Sequence, residues 1–76
     1  MQISRDKKAL MALAKRVKAL RMAAEVSQEQ LAFDCEIDRT YISKIERGIA
    51  NPSFLILVRI AMVLKVPLIE LVASVK

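Results

Sequence analysis

The sequence predicts an all-α fold of five short helices, and three observations support this prediction. Apolar residues recur at spacings of three and four, as on one face of a helix, and no alternation typical of strands persists. Residues that commonly cap helices stand where these patterns begin and end. The connections between them are only a few residues long, as in compact helical domains. With 76 residues, we expect a single domain spanning 1–76.

The first two helices follow from periodicity and from a capping signal. Ser27 is expected to open the second helix, because its hydroxyl and the side chain of Gln30 can exchange hydrogen bonds with backbone amides, forming a capping box. The first helix has its apolar residues on one face: Leu10, Leu13, Val17, Leu20 and Ala24.

The other three helices are predicted to begin or end at capping residues, at the one glycine and at the two prolines. Asp38 is the expected N-cap of the third helix, and Gly48 ends it. Asn51 followed by Pro52 predicts the start of the fourth helix, because proline suits the first helical turn. Pro67 is expected to open the fifth. The five predicted helices cover approximately residues 5–24, 28–35, 39–47, 53–64 and 67–74.

Positive charge is concentrated near the N-terminus. The chain has a net charge of +5, whereas residues 1–24 alone carry +6, with Asp6 as their one acidic residue. A basic pole favours a polyanion such as nucleic acid, although a solvated basic helix face gives the same pattern. The longest uncharged run, residues 48–58, is too short to cross a membrane. We therefore expect a cytoplasmic protein without a membrane partner.

Residues suited to catalysis or metal binding are few. The chain has no histidine, and Cys35 is its one cysteine. We expect that thiol to be partly buried, with its pKa raised by the neighbouring Asp34 and Glu36, which argues against a reactive thiolate. Asp34, Glu36 and Asp38 alternate, but calcium-loop spacing does not follow, and no glycine-rich phosphate loop is present. The sequence therefore predicts neither an enzyme nor a protein with a metal or other cofactor.

The stretch from Gln28 to Arg47 has the pattern of a helix-turn-helix unit, whose second helix is presented to the DNA major groove. Small Ala32 allows the two helices to approach closely. Apolar anchors fall on both sides of the turn: Leu31, Ile37, Ile42 and Ile45. The opposite face of the third helix is rich in hydrogen-bond donors: Arg39, Thr40, Ser43, Lys44 and Arg47, with Tyr41 on a flank. From residue types alone, a solvated surface helix fits equally well.

Arg39 is the best candidate for a base contact, because an arginine at the tip of such a helix can bind guanine through two hydrogen bonds. A pairing of this kind discriminates by about 1–3 kcal/mol. Thr40 and Ser43 suit bases or backbone. Gln28, at a helix N-terminus, would help to bind a phosphate.

Three ordered segments, SQEQLA, DRTYISKIERG and Asn51-Pro52, closely resemble the Cro and phage-repressor type of helix-turn-helix proteins, also called the xenobiotic response element type. The resemblance covers roughly residues 13–73 and implies a compact lambda-repressor-like domain with the helix-turn-helix at helices two and three. It implies a structural ion pair between Arg21 and Glu46. More narrowly, the run DRTYIS in so short a chain resembles the controller proteins of restriction–modification systems.

The same resemblance implies a division of roles on the DNA-binding face. Arg39, Thr40 and Ser43 match positions that face bases. Backbone or base-edge contacts are implied at five further positions: Gln28, Tyr41, Lys44, Arg47 and Asn51. One residue departs from the family pattern: Glu36 occupies the turn position where glycine or asparagine is usual. A left-handed backbone there costs a glutamate about 1 kcal/mol or more.

A surplus of apolar residues near the C-terminus predicts a homodimer, because a monomer exposing them would aggregate. The core face of the fourth helix is expected to consist of Leu57, Ile60, Ala61 and Leu64. A two-fold interface would be formed by Phe54, Leu68, Ile69, Leu71 and Val72, although Leu68 and Leu71 could instead close the core. A homodimer would place its two copies of the third helix about one duplex turn apart, and these would require a pseudo-palindromic operator.

We therefore expect a transcriptional regulator that acts as a homodimer on double-stranded DNA, on its own promoter if it is a controller protein. RNA polymerase is a further partner that this role suggests. The main alternative is a protein-interaction module of the same fold, such as an antitoxin or an assembly subunit. A helix lying on a membrane surface through its basic residues is a more distant alternative.

Overall fold

The computed structural model describes residues 3–75, which form five α-helices and no strands. Helix α1 spans Ile3–Ala23, α2 Gln28–Cys35, α3 Arg39–Glu46, α4 Phe54–Leu64 and α5 Leu68–Val72. The predicted all-α class is therefore confirmed. Helix α1 begins two residues earlier than expected. Helix α5 is shorter than the predicted 67–74, because Pro67 precedes its first turn and the chain leaves the helix after Val72.

The helix-turn-helix unit has side-chain caps at both of its helices. The Ser27 hydroxyl accepts a hydrogen bond from the amide of Gln30 at 2.9 Å, and the Asp38 carboxylate accepts one from the amide of Thr40 at 2.9 Å. The expected capping box is only half formed, because the Gln30 side chain donates to Asp34 at 2.9 Å instead of returning to Ser27. The second hydrogen bond of the capping box is thus replaced by one between two side chains that are one helical turn apart, Gln30 and Asp34.

The start of α4 differs from the prediction. Ser53, and not Asn51, is the N-cap: its backbone is extended, and its hydroxyl accepts a hydrogen bond from the amide of Ile56 at 3.2 Å. Pro52 therefore lies before the helix, where its side chain is buried. A serine three residues before an amide satisfies that donor as well as asparagine would, so the N-cap lies two residues later than predicted and the helix begins at Phe54 instead of residue 53.

Four helices end in the same way, with a left-handed residue followed by an amide that bonds to a carbonyl five residues back, as in the Schellman motif. The left-handed residues are Glu25, Glu36, Gly48 and Lys65, with φ of 58°, 59°, 75° and 60°. At the turn of the helix-turn-helix, the amide of Ile37 donates to the carbonyl of Ala32 at 3.0 Å. The left-handed conformation that the sequence implied for Glu36 is therefore present.

One hydrophobic core joins all five helices. Its fully buried large side chains are Val17, Leu31, Ile42, Ile45, Ile60 and Leu71. Helix α1 packs against α3 and α5, while α4 packs against α2 and α5. The expected face of α1 is present at Leu13 and Val17, but Ala24 lies beyond the helix end and is exposed. Among residues 3–75, no helix combines the length and the apolar character that crossing a membrane requires.

Candidate nucleic-acid interface

Helix α3 presents one apolar and one polar face, and its apolar face fixes its orientation. Ile42 and Ile45 are completely or almost completely buried against the other helices. The side chains of the opposite face point into solvent: Arg39, Thr40, Lys44 and Arg47. Since Asp38 caps the helix, its N-terminal end, which carries Arg39 and Thr40, is a defined and exposed edge.

On the predicted third helix, three of the residues expected to contact DNA have additional contacts within the chain. Tyr41 is half-buried and packs against the edge of the hydrophobic core. Ser43 is also half-buried, and its carbonyl accepts a long hydrogen bond of 3.4 Å from Nε of Arg47. The Arg47 side chain is thereby folded along its own helix. These positions flank the exposed edge formed by Arg39, Thr40 and Lys44.

The carboxylate of Glu46 binds side chains from two other helices. Its Oε2 lies 2.6 Å from Nε of Arg21, and its Oε1 accepts from Nη2 of the same arginine at 3.0 Å. Oε1 also accepts from Nε2 of Gln28 at 3.0 Å. Arg21 in turn donates to the carbonyl of Val26 at 2.8 Å. One carboxylate thus links α1, α2 and the C-terminal end of α3.

This network is almost closed to solvent. The side chain of Glu46 is 3% exposed and that of Arg21 is 12% exposed. The hydrogen bond from Arg21 to Glu46 raises the pKa of the guanidinium above its ordinary value, against the opposing effect of burial. Arg21 therefore stays charged. The ion pair implied by the resemblance is present, and Glu46 holds the helix in place instead of facing outward.

Gln28 has a structural contact that sequence reasoning missed. It is the first residue of α2 and is half-buried. One hydrogen of its Nε2 group goes to Glu46, and the second remains available for a phosphate. The first backbone amides of α2 have no acceptor within the helix and point away from it. The helix end can therefore donate to a phosphate even though the Gln28 side chain is partly engaged. Asn51 is exposed in the loop before α4.

Two arginine contacts outside this network also escaped sequence reasoning. Arg16 of α1 lies 2.7 Å from the carboxylate of Glu70 of α5 and donates through Nε to the Glu70 carbonyl at 2.9 Å. Arg59 of α4 donates to the carbonyl of Cys35 at 3.3 Å, at the end of α2. These pairs are 54 and 24 residues apart in sequence, so no local pattern indicates them.

Cys35 is a buried structural residue. Its side chain is 2% exposed, and burial raises the pKa of the thiol, with a further increase from the charge of Asp34 and an opposing effect from Arg59. The thiol is therefore neutral at ordinary pH, as the sequence suggested. Within residues 3–75, histidine, cysteine and acidic side chains do not gather in a group able to hold a metal ion.

The apolar residues expected at a dimer interface fall into three groups. Phe54 and Ile69 are 65% and 63% exposed. Leu68 and Val72 are half-buried and pack against the core. Leu71 is fully buried within the single chain, so the prediction that it lies at an interface is wrong. Leu71 is the one residue of α5 that is buried, so it closes the core as the alternative interpretation of the sequence allowed.

Comparisons to known proteins agree with this fold. Residues 17–71 match the helix-turn-helix family, and the chain belongs to it. Among its relatives is control protein C.BamHI of Bacillus amyloliquefaciens, which is 51% identical over 39 residues. That alignment spans 50% of this chain and 48% of the relative, about half the length of each.

Solved structures of restriction–modification controller proteins have the same fold. C.AhdI from Aeromonas hydrophila superposes with a TM-score of 0.80 at 37% identity, covering 82% of this chain and 94% of that protein. C.Esp1396I superposes with a TM-score of 0.78 at 32% identity, covering 87% and 88%. The predicted resemblance is thereby confirmed. These relatives are control and controller proteins, which agrees with the prediction that the chain is not an enzyme.

Proposed function

We propose that this chain is a transcriptional regulator that binds double-stranded DNA through α3, and that it controls a restriction–modification system by acting on its own promoter. The observation that carries the proposal is the orientation of α3. Ile42 and Ile45 hold one face inward, and Glu46 holds the C-terminal end. The exposed N-terminal edge then carries Arg39 and Thr40, whose donors suit base edges in the major groove.

The remaining predicted residues would set the position of the helix on the duplex. Lys44 and Arg47 are exposed along α3 and suit phosphate contacts, as does Asn51 in the loop before α4. Gln28 would act together with the backbone amides at the start of α2. Ser43 and Tyr41, being half-buried, suit only groups that approach the helix closely. Several neutralised phosphates would make binding steeply dependent on salt.

The test is selection of bound duplexes from a random pool at about physiological salt, followed by the same selection with Arg39→Ala. We expect a two-fold symmetric site with half-sites about 10 base pairs apart, located upstream of the chain's own gene. Arg39→Ala should lose preference at one base pair of each half-site. Lys65→Ala removes the same charge from an exposed position at the end of α4 and is the matched control.

Absence of any enriched site, with only weak and salt-sensitive binding, would contradict the proposal and favour a protein-interaction module instead. If a site is found, transcription from a template that carries it will show whether bound protein recruits or blocks RNA polymerase, the further partner that a promoter-bound regulator would meet.

The proposed active form is a homodimer formed through α4 and α5. Phe54 and Ile69 supply exposed apolar surface, and half-buried Leu68 and Val72 extend it. Phe54→Lys should convert the dimer to a monomer in sedimentation experiments. Phe33→Lys is the matched control, because Phe33 is even more exposed, at 78%, but lies on α2. Equal effects of both substitutions, or a monomeric parent protein, would contradict this interface.

A further inference from the structure

A stripe of residues along the N-terminal half of α1 forms a groove with a basic rim. Its members on α1 follow one helical face: Ser4, Lys7, Lys8, Met11, Ala12 and Lys15. Arg16 and Ser74 close it on the side of α5. Ser4 and Lys15 are eleven residues apart, so the stripe is about 16 Å long at the helical rise of 1.5 Å per residue. The groove has a volume of about 620 Å³.

This part of α1 has little support from the rest of the chain. Residues 4–8 are all exposed, and from residue 4 onward Leu13 is the first buried residue of the helix. A helical segment that buries nothing is only marginally stable by itself, since most helical stability in proteins comes from packing. The end of the groove nearest α5 is fixed, because the Arg16 guanidinium binds the carboxylate of Glu70 at 2.7 Å. The stripe is therefore held at one end, and its lysines are exposed along its length.

The chemistry of the stripe defines what would cover it. Lysines at the rim require a negatively charged occupant. The floor, formed by Met11 and small Ala12, is apolar and concave, so it fits a narrow apolar ridge. An amphipathic helix with leucines along one side and glutamates on both flanks has these properties. A second copy of this chain fits less well, because the region that would meet it is itself strongly basic.

Nucleic acid and membrane match the stripe less closely. A phosphate backbone needs the lysines but gains nothing from an apolar floor. A membrane-surface helix inserts a convex face of large apolar side chains, whereas here the apolar residues lie at the bottom of a groove. In addition, the groove residues on α1 all precede residue 17, where the match to the helix-turn-helix family begins.

We propose that the groove on α1 binds an acidic amphipathic helix of a partner protein. This role is separate from the proposed DNA contacts of α3, so either can fail without the other. The probe is a fluorescent synthetic peptide of about five helical turns, with leucines at spacings of three and four and glutamates on the flanks. A second peptide of the same composition, with its order permuted to destroy the apolar stripe, controls for charge alone. Binding to the full chain is measured by fluorescence anisotropy.

The variants are matched in charge. Lys7→Glu with Lys15→Glu changes two residues of the rim, while Lys18→Glu with Lys65→Glu changes two exposed lysines outside it. Both pairs reverse two charges at exposed positions, where substitutions usually change stability by less than about 0.5 kcal/mol, so we expect both variants to fold. The rim variant should weaken binding of the ordered peptide by about tenfold or more, and the control variant by less than about threefold.

Five results would overturn the proposal. The first four are no binding of the ordered peptide, equal binding of the permuted peptide, equal loss in both variants, and a loss of affinity for random duplex DNA that is confined to the rim variant. The fourth result would assign the groove to phosphates. Binding of the parent protein to vesicles of anionic phospholipid that is lost only in the rim variant would assign the groove to a membrane, which also contradicts the proposal.

Discussion

Helix α1 is joined to the rest of the molecule by two arginine–glutamate pairs with very different surroundings. At its C-terminal end, Arg21 and Glu46 have side chains that are 12% and 3% exposed. Nearer its middle, Arg16 and Glu70 have side chains that are 30% and 46% exposed. The distances are alike, at 2.6 and 2.7 Å, so distance does not distinguish them. Their exposure distinguishes them, because water screens the Arg16–Glu70 pair but hardly reaches the Arg21–Glu46 pair.

The difference corresponds to what each pair does. The buried pair, together with Gln28, fixes the helix that carries the candidate base contacts. The exposed pair fastens the short helix α5, whose inward-pointing Leu71 already secures it to the core. Breaking the buried pair should therefore cost more stability than breaking the exposed one. Four substitutions would break or sharpen this comparison, and we give them from the largest expected effect to the smallest.

Replacing Glu46 by alanine should have the largest effect. It leaves the Arg21 guanidinium nearly buried without its carboxylate, and removal of one partner of a buried pair typically costs about 3 kcal/mol or more. Urea unfolding will measure the loss. The double variant Arg21→Met with Glu46→Leu removes both charges and should recover much of it. If the single and double variants were equally unstable, the unpaired charge would not be the cause.

Replacing Gly48 by alanine tests the contact between α1 and the end of α3. Gly48 has a φ of 75°, and an added Cβ would collide with the sulfur of Met11. A left-handed backbone costs an alanine about 1–2 kcal/mol, and this should dominate because the Met11 side chain can move. The combination with Met11→Ala separates the two contributions. Full recovery of stability in the double variant would show that the collision, and not the backbone, was responsible.

Replacing Arg16 by alanine should cost less than about 1 kcal/mol, since half-exposed ion pairs contribute little. The loss should shrink further at high salt, unlike the loss caused by Glu46→Ala. Thermal unfolding at two salt concentrations will compare them. A salt-independent loss as large as that of Glu46→Ala would remove the distinction between the two pairs.

Cys35 provides the smallest expected effect, and it depends on pH. Because burial raises the pKa of the thiol, the folded state holds the proton more tightly than the unfolded state does. This contribution is complete below the thiol pKa of the unfolded chain and is lost as pH rises through the higher folded value. The difference in unfolding free energy between the parent and Cys35→Ala should therefore change only on the alkaline side of neutrality. A change on the acid side would contradict this assignment.

The sequence predicted the helix-turn-helix region better than the C-terminal helices, and the reason is the range of the interactions. The caps at Ser27 and Asp38 involve residues two or three positions away, so local sequence determines them. The start of α4 was placed wrongly because Asn51 and Ser53 are both good caps, and only the packed chain selects between them. The inward position of Leu71 likewise depends on α1 and α4.

In the candidate site too, local sequence predicted the orientation of a helix but not the contacts between helices. Periodicity alone placed Ile42 and Ile45 inward and therefore Arg39 and Thr40 outward. The contact of Gln28 with Glu46 could not be predicted in this way, because it joins residues 18 positions apart on different helices. The pairing of Arg16 with Glu70 joins residues that are even farther apart in sequence, by 54 positions. Base contacts by α3 remain predictions, since they depend on a duplex.

The position of Glu46 has a consequence for how the molecule folds. Its carboxylate is satisfied only when α1 and α2 are both assembled around α3. A partly folded state that contained the helix-turn-helix without α1 would lose both the Arg21 hydrogen bonds to Glu46 and the packing of α1 against α3, and it should be poorly populated. Unfolding of α2 and α3 should therefore coincide with global unfolding. The amide hydrogens of these two helices should exchange at the same slow rate as those in the second half of α1.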